Sequence, residues 1–444
     1  MIDDEGDLGT RVLRPVMRRA PVARTSAALT ASRVVSGLLY TLASIVVARA
    51  AGASALGVFG LALTIGTYAT LCADAGVSQF LLPELGRTDR NAWEVIWADA
   101  QRFAVRSTVP LAAGYSLLVA VLTRGDERLA LLAVTLWWVP LRLSGYARPF
   151  FIAAERAGVE ATAAIVESAA ALVAIYVLLQ VSTAPALAAL GLGLGAMLGL
   201  GVRLDGLRRV GVLGGKAERR GRTLALAAAP FAAVIILNAL YLRIDIVLLS
   251  IERSSRELGL YQPSVRLVTA LLILPDALAA VLLVRSSRAP DHHEIKQRQE
   301  HLLAVSLPIG VLLVAVCAVA GRPLLGLTFG AEFRQSSTAL ALLIATVPLA
   351  LLSAMNGNSL VARGLVWPRV ACLGAAAVCA IGLGIPAIAR FGYVGAAGVS
   401  VVNELVLVLA YGLALGRLCG PGSLVLPKWS VRALASATQS ARRH

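Results

Sequence analysis

The sequence is short of the residues on which soluble folds and most catalysis rely. Only 15% of its 444 residues are charged and 5% aromatic, with four histidines and five cysteines. A soluble domain carries about 25% charged residues, so that class is excluded. Three of the histidines cluster at His292, His293 and His301 and the fourth, His444, ends the chain, so no Ser-His-Asp set can be assembled. His293-Glu294 is followed by Gln297 where a zinc helix needs a second histidine. Cys72, Cys317, Cys372, Cys379 and Cys419 lie in or beside apolar segments without a C-x-x-C pair, and read as small apolar residues rather than metal ligands or disulfides. Gly214-Gly215-Lys216 runs into Ala217 and lacks the spaced first glycine of a nucleotide loop. No catalytic residue, metal or cofactor is therefore expected. The opening MIDDEGDLG is acidic where a cleavable signal needs a basic start.

Acids are scarcer than bases, 25 against 41, for a formal net charge of +16. That surplus would suggest nucleic acid in a soluble protein. Here the bases sit in short patches between apolar runs, and the positive-inside rule accounts for most of them. Hydrophobic residues make up 58% of the chain and the mean hydropathy is +0.78. The apolar runs are continuous rather than alternating, which argues against a β-barrel. Helices satisfy every backbone polar group internally, as lipid requires.

The hydrophobic pattern predicts an all-α integral membrane protein with twelve spans. The first six are 27–50, 57–83, 103–123, 129–153, 158–181 and 184–204; the second six are 223–250, 259–284, 301–321, 337–362, 367–389 and 393–416. The tail 1–26, the basic linker 205–222 and the tail 417–444 flank the bundles 27–204 and 223–416. Sorting the bases puts 27 on the side of the termini, with Arg203 counted in the central linker. The other side has 8: Arg49, Arg124, Arg128, Arg253, Arg256, Arg322, Arg334 and Arg390. This asymmetry predicts cytoplasmic termini in a cell membrane. The outer loops are all short, leaving no room for a folded domain outside.

The hairpin Arg33 to Arg87 returns later in the chain. Ala55-Leu56-Gly57-Val58-Phe59 aligns with Glu257-Leu258-Gly259-Leu260-Tyr261 at an offset of 202, and the same offset carries Asp74 onto Asp276. Six spans per half give two halves of like orientation, related by an axis along the membrane normal with a cavity between them.

The first hairpin carries Arg33, Ala48-Arg49, Gly52, Leu56-Gly57, Phe59, Ala73-Asp74-Ala75-Gly76, Glu84 and Arg87. The second half carries Arg243-Ile244-Asp245, Leu258-Gly259-Leu260-Tyr261, Phe329-Gly330-Ala331-Glu332-Phe333 and Gly392-Tyr393-Val394-Gly395-Ala396-Ala397. In this order the set resembles the polysaccharide (lipid-linked oligosaccharide) flippases, relatives of the MATE exporters in one superfamily. The proline usual at the end of span eight is replaced by Val284-Arg285-Ser286. The resemblance implies a MATE-like fold and transport of isoprenoid-linked sugar between leaflets. It also implies partnership with polysaccharide polymerase and export proteins, and no nucleic-acid partner.

A charge in the bilayer interior costs roughly 2.5–3.5 kcal/mol on insertion scales, so each one needs a partner or a wet cavity. Arginine suits phosphate, because its planar guanidinium makes bidentate hydrogen bonds and stays charged when desolvated. Arg142 near the middle of span four, Arg33 and Arg148 toward the cytoplasmic third, and Arg243 and Arg266 toward the outer third form a candidate ladder for a pyrophosphate or acidic-sugar head group. Asp74, Asp276, Glu167, Glu404 and Asp245 are candidate sites for a coupling proton or sodium ion, or counter-ions to the arginines. Arg49 and Arg106 are expected to snorkel to head groups. Gly191, Gly195 and Gly199, four apart, predict close helix packing. A multidrug exporter would favour an acidic or aromatic cavity. A polymerase, ligase or glycosyltransferase would need a sizeable outer loop or an acidic pair in the first one. A flippase for a peptidoglycan precursor stays an alternative, although that family usually has two further spans.

Overall fold

The computed structural model describes the backbone of residues 19–218, 221–286 and 292–420, and side chains within them except at 19–27, 221–223, 230, 272–286, 292–299, 301, 302, 305, 306, 309 and 362. Every regular element in the described residues is helical. The first half contains α1 (Arg19–Asp74), α2 (Val77–Arg87), α3 (Trp93–Leu122), α4 (Gly125–Ala133), α5 (Thr135–Ser144), α6 (Ala147–Ala153), α7 (Ala157–Leu179) and α8 (Pro185–Val210). The second contains α9 (Gly221–Glu252), α10 (Ser255–Ser286), α11 (His292–Thr328), α12 (Ser337–Ile344), α13 (Thr346–Ala362) and α14 (Val366–Cys419).

Nine stretches among the described residues are long and apolar enough to cross a membrane. Two of them are too long for one crossing. A 54-residue α-helix would extend about 80 Å, against a hydrocarbon core of about 30 Å. Both fold back at a glycine: α1 at Gly52 (φ 77°) and α14 at Gly392 (φ 58°). That left-handed conformation is open to glycine at little cost. Among the described residues, counting each hairpin twice gives eleven crossings, and the 32-residue α10 is long enough for the twelfth that hydropathy predicts. Span four is a chain of three short helices, α4 to α6.

The largest apolar cluster draws on both halves, from Val47, Phe59, Trp138 and Ile175 to Leu249, Tyr261, Phe333 and Ile344. A second joins α2, α3, α6 and the end of α8 through Leu81, Trp97, Phe150 and Leu207, and reaches Ala228 of α9. Apolar side chains such as Val181, Val319 and Leu327 stay largely exposed. On a membrane protein that surface is met by acyl chains. The expected packing glycines lie against α7: a Cβ on Gly195 would come within 2.4 Å of the Glu167 carbonyl oxygen, and one on Gly191 within 2.8 Å of the Ile175 nitrogen.

The duplicated glycines meet one another. A Cβ on Gly57 would fall 2.0 Å from the Ser255 carbonyl oxygen and 2.8 Å from the Gly259 nitrogen, and one on Gly259 only 1.7 Å from the Ala53 carbonyl oxygen. Repeat-equivalent residues touch only where they flank the axis that relates them, so this contact marks the pseudo-two-fold. It closes the interface at the end away from the termini. At the opposite end Gly76 (φ 75°) abuts α9, where its Cβ would lie 2.4 Å from the Ala232 nitrogen. Both ends are shut.

Candidate functional site

The charged groups fall into three sets. The first continues the glycine stripe of α8, since Arg203 stands four residues past Gly199 and faces α7. There Glu160 and Glu167, seven residues apart, share a face. The Arg203 guanidinium donates to both Glu160 carboxylate oxygens at 3.1 Å and to Glu167 Oε2 at 2.8 Å. Tyr40 on α1 donates to Glu167 Oε1 at 3.1 Å. All three ionic groups are buried. Arg203 is therefore an interior residue, not part of the linker, and Glu167 is its counter-ion. Composition alone singles out neither Glu160 nor the interior place of Arg203. Two spacings carry that signal: Gly191, Gly195, Gly199 and Arg203 at intervals of four, and the two glutamates one heptad apart. Half-buried Arg148 lies in the field of Arg33, Glu160 and Arg203, and Arg33 is exposed on the first arm of α1.

The second set encloses Arg142. Its side chain is 1% exposed, its guanidinium stacks 4.1 Å over the Tyr146 ring and donates to the Tyr146 hydroxyl, and it pairs with Asp74 at 3.9 Å. Asp74 also accepts from the Ser78 hydroxyl at 2.9 Å. Arg142 is thus packed on the end of α1, enclosed by Asp74 and Tyr146. Its Nε and Nη1 make no hydrogen bond.

The third set lies on α9, α10 and α14. Asp245 accepts from the Tyr261 hydroxyl, from the Ser400 hydroxyl at 3.3 Å and from the Ile246 N–H at 2.9 Å. Arg243, two residues away, turns instead to Thr269 Oγ1 at 2.8 Å. Arg266 is half-buried, and its Nε is shut from solvent without a hydrogen-bond partner. Among the described residues no carboxylate lies within ion-pair distance of it, and the charged side chain that acts on it most is another cation, Arg243. A cavity of about 10 Å³, the room of one water-sized sphere, borders Asp245, Ser400 and Asn403. The Asn403 Oδ1 is buried there without a partner. Next to it Glu404 is buried and accepts from Ser353 Oγ at 2.5 Å. The Asp276 side chain lies outside the described residues.

The described residues thus form an all-helical bundle of two like-oriented halves that meet at paired glycines. No family model matches the sequence and no curated sequence matches it. Solved structures do. The lipid II flippase MurJ in an inward closed conformation superposes with a TM-score of 0.74 at 11% identity, over 88% of this chain and 87% of that one. An inward-facing multidrug resistance MATE family transporter of the MOP superfamily gives 0.71 at 12% identity, over 87% and 95%. A MOP superfamily transporter from Pyrococcus furiosus, described as having a binding pocket of reversed polarity, gives 0.65 at 12% identity, over 90% and 96%. These likenesses show that the chain shares the fold of those structures.

Proposed function

We propose that this chain carries a polyprenyl-diphosphate-linked oligosaccharide from the inner to the outer leaflet of the cell membrane, with both termini in the cytoplasm. The observation that supports this most is Arg266, a cation inside the bundle whose Nε is buried without a hydrogen-bond partner and with no carboxylate at ion-pair distance among the described residues. Arg243 adds a second positive field at Arg266, and like charges in a low dielectric repel. An anion between them turns that repulsion into attraction, and a diphosphate fits two guanidinium forks. Arg33 and Arg148 offer a second like-charged pair nearer the termini, so the head group would meet arginines at two depths. The lipid tail would stay in the bilayer while the halves rock, and polymerase and export proteins would consume the delivered sugar. A surplus of interior arginine disfavours cationic drugs as cargo. The likeness to the lipid II flippase favours one alternative, a lipid-linked peptidoglycan precursor, which has the same diphosphate chemistry.

Cells lacking the protein should accumulate the lipid-linked intermediate on the inner leaflet, and its sugar separates the two cargoes. Arg266→Ala should slow flipping in proteoliposomes roughly 10- to 150-fold, the worth of one charged hydrogen-bonding group. Normal transport in both Arg266→Ala and Arg243→Ala, at normal membrane levels, would remove the diphosphate reading.

Asp245 is our choice for the coupling cation, proton or sodium. It is the carboxylate beside the small cavity, with Ser400 and the free oxygen of Asn403 as further oxygen donors. Asp245→Asn should abolish the response of transport to an imposed ion gradient, while undriven exchange persists. An unchanged response would leave Asp245 as a hydrogen-bond acceptor for Tyr261 and nothing more.

A further inference from the structure

Arg49, expected at head-group depth, is exposed and also holds protein carbonyls. It stands at the end of the first arm of α1, just before the Gly52 break, and reaches across to the other half of the molecule. Its Nε donates to the Thr328 carbonyl oxygen at 2.8 Å and its Nη2 to that of Leu327, both on the last turn of α11. In return Glu332, in the turn Ala331–Ser336 after α11, accepts the Ala53 N–H at 3.0 Å. Ala53 opens the second arm of α1. The last carbonyls and first N–H groups of a helix lack partners within it and carry the ends of its macrodipole. A cation from the first half thus satisfies a helix C-terminus in the second, and an anion from the second satisfies a helix N-terminus in the first.

The second half contains the same chemistry turned inward. Arg253 at the end of α9 donates to the carbonyl oxygens of Ile388 (3.1 Å) and Ala389, just before the Gly392 break in α14. Glu257 lies beside that break, with its Oε2 2.2 Å from where a Gly392 Cβ would be. Arg253 and Glu257 therefore clamp elements of their own half. Arg49 and Glu332 clamp one half to the other, next to the Gly57–Gly259 contact.

We infer that Arg49 and Glu332 form a reciprocal helix-end latch that holds the bundle closed at the end away from the termini, and that must be released for the halves to part there. The latch rests on the alternating-access part of the proposed function and is independent of the cargo.

The test measures separation rather than transport. Spin labels at Ser54→Cys and Gln335→Cys, in a protein whose five native cysteines are serine, report the distance across that end by double electron–electron resonance. Arg49→Gln and the near-isosteric Glu332→Gln should each raise the ratio of long to short distances by about tenfold. Arg49→Lys, which keeps the charge but not the two-pronged grip, should give a smaller rise. Arg253→Gln should leave the distribution unchanged, because its bonds stay within one half. Distributions in both Arg49→Gln and Glu332→Gln that match the parent would overturn the latch. So would an Arg253→Gln effect as large as theirs. If Arg49→Gln does not fold, Glu332→Gln decides alone. Loss of transport in a variant that still opens and closes would count against the cargo reading and leave the latch standing.

Discussion

Arg203→Ala is expected to destabilise the protein by about 3–5 kcal/mol, the cost of removing one partner from a buried ion pair. One guanidinium serves two buried carboxylates here, Glu160 through both oxygens and Glu167 at 2.8 Å. Without it, two like charges stay in a low-dielectric core with only Tyr40 as a donor to Glu167. The measurement is thermal unfolding of the detergent-solubilised protein, followed by its monodisperse fraction. Glu167→Gln should cost less, because Arg203 then keeps a bidentate partner in Glu160. Arg203→Lys should fall between, since an ammonium cannot reproduce the fork that meets Glu160. An Arg203→Ala protein that melts with the parent would show that water or lipid head groups already neutralise this site.

What could be read from the chain, and what could not, divides along physical lines. Spans are a local property: about twenty apolar residues suffice, and both sharp reversals fall where Gly52 and Gly392 stand in the loops between predicted spans. The glycine stripe on α8 is equally local, since an interval of four fixes one helix face whatever the neighbour. Partner choice is different. It depends on how each helix is turned about its own axis, which hydropathy does not specify. So Arg142, expected at mid-membrane to meet a ligand, is enclosed with Asp74 and Tyr146. Arg203 sits at the margin of a span, where charge counting assigns it to the linker, but its place four residues past Gly199 turns it to α7. Arg49 shows the limit most clearly. Its depth fits a snorkelling side chain, and only the approach of α11 from the other half gives it carbonyls to hold. The duplication was legible as an offset of 202, yet nothing in that number says that its two glycines touch.

That contact makes Gly259→Ala the substitution with the largest expected effect on transport. The added Cβ would lie 1.7 Å from the Ala53 carbonyl oxygen and 2.5 Å from its carbon, both backbone atoms that no rotamer change can move. Overpacking of this kind costs about 1–3 kcal/mol even where side chains can yield. The whole of that cost falls on the closed arrangement, because the clash vanishes once the halves separate. Applied to a two-state equilibrium, 1–3 kcal/mol multiplies the open-to-closed ratio roughly 5- to 150-fold. Gly57→Ala should act in the same direction, since its Cβ meets the Ser255 carbonyl oxygen at 2.0 Å from the other side of the axis. Gly195→Ala separates this effect from simple destabilisation: its Cβ would strike the Glu167 carbonyl oxygen at 2.4 Å, inside one half, and should lower the melting temperature without changing the distance between the halves. Gly398→Ala, with nothing within 4 Å, should change neither. Transport that survives Gly259→Ala at the parent rate would mean that closure of the glycine-paired end is not a step of the cycle, and the rocking of two halves would have to be abandoned with it.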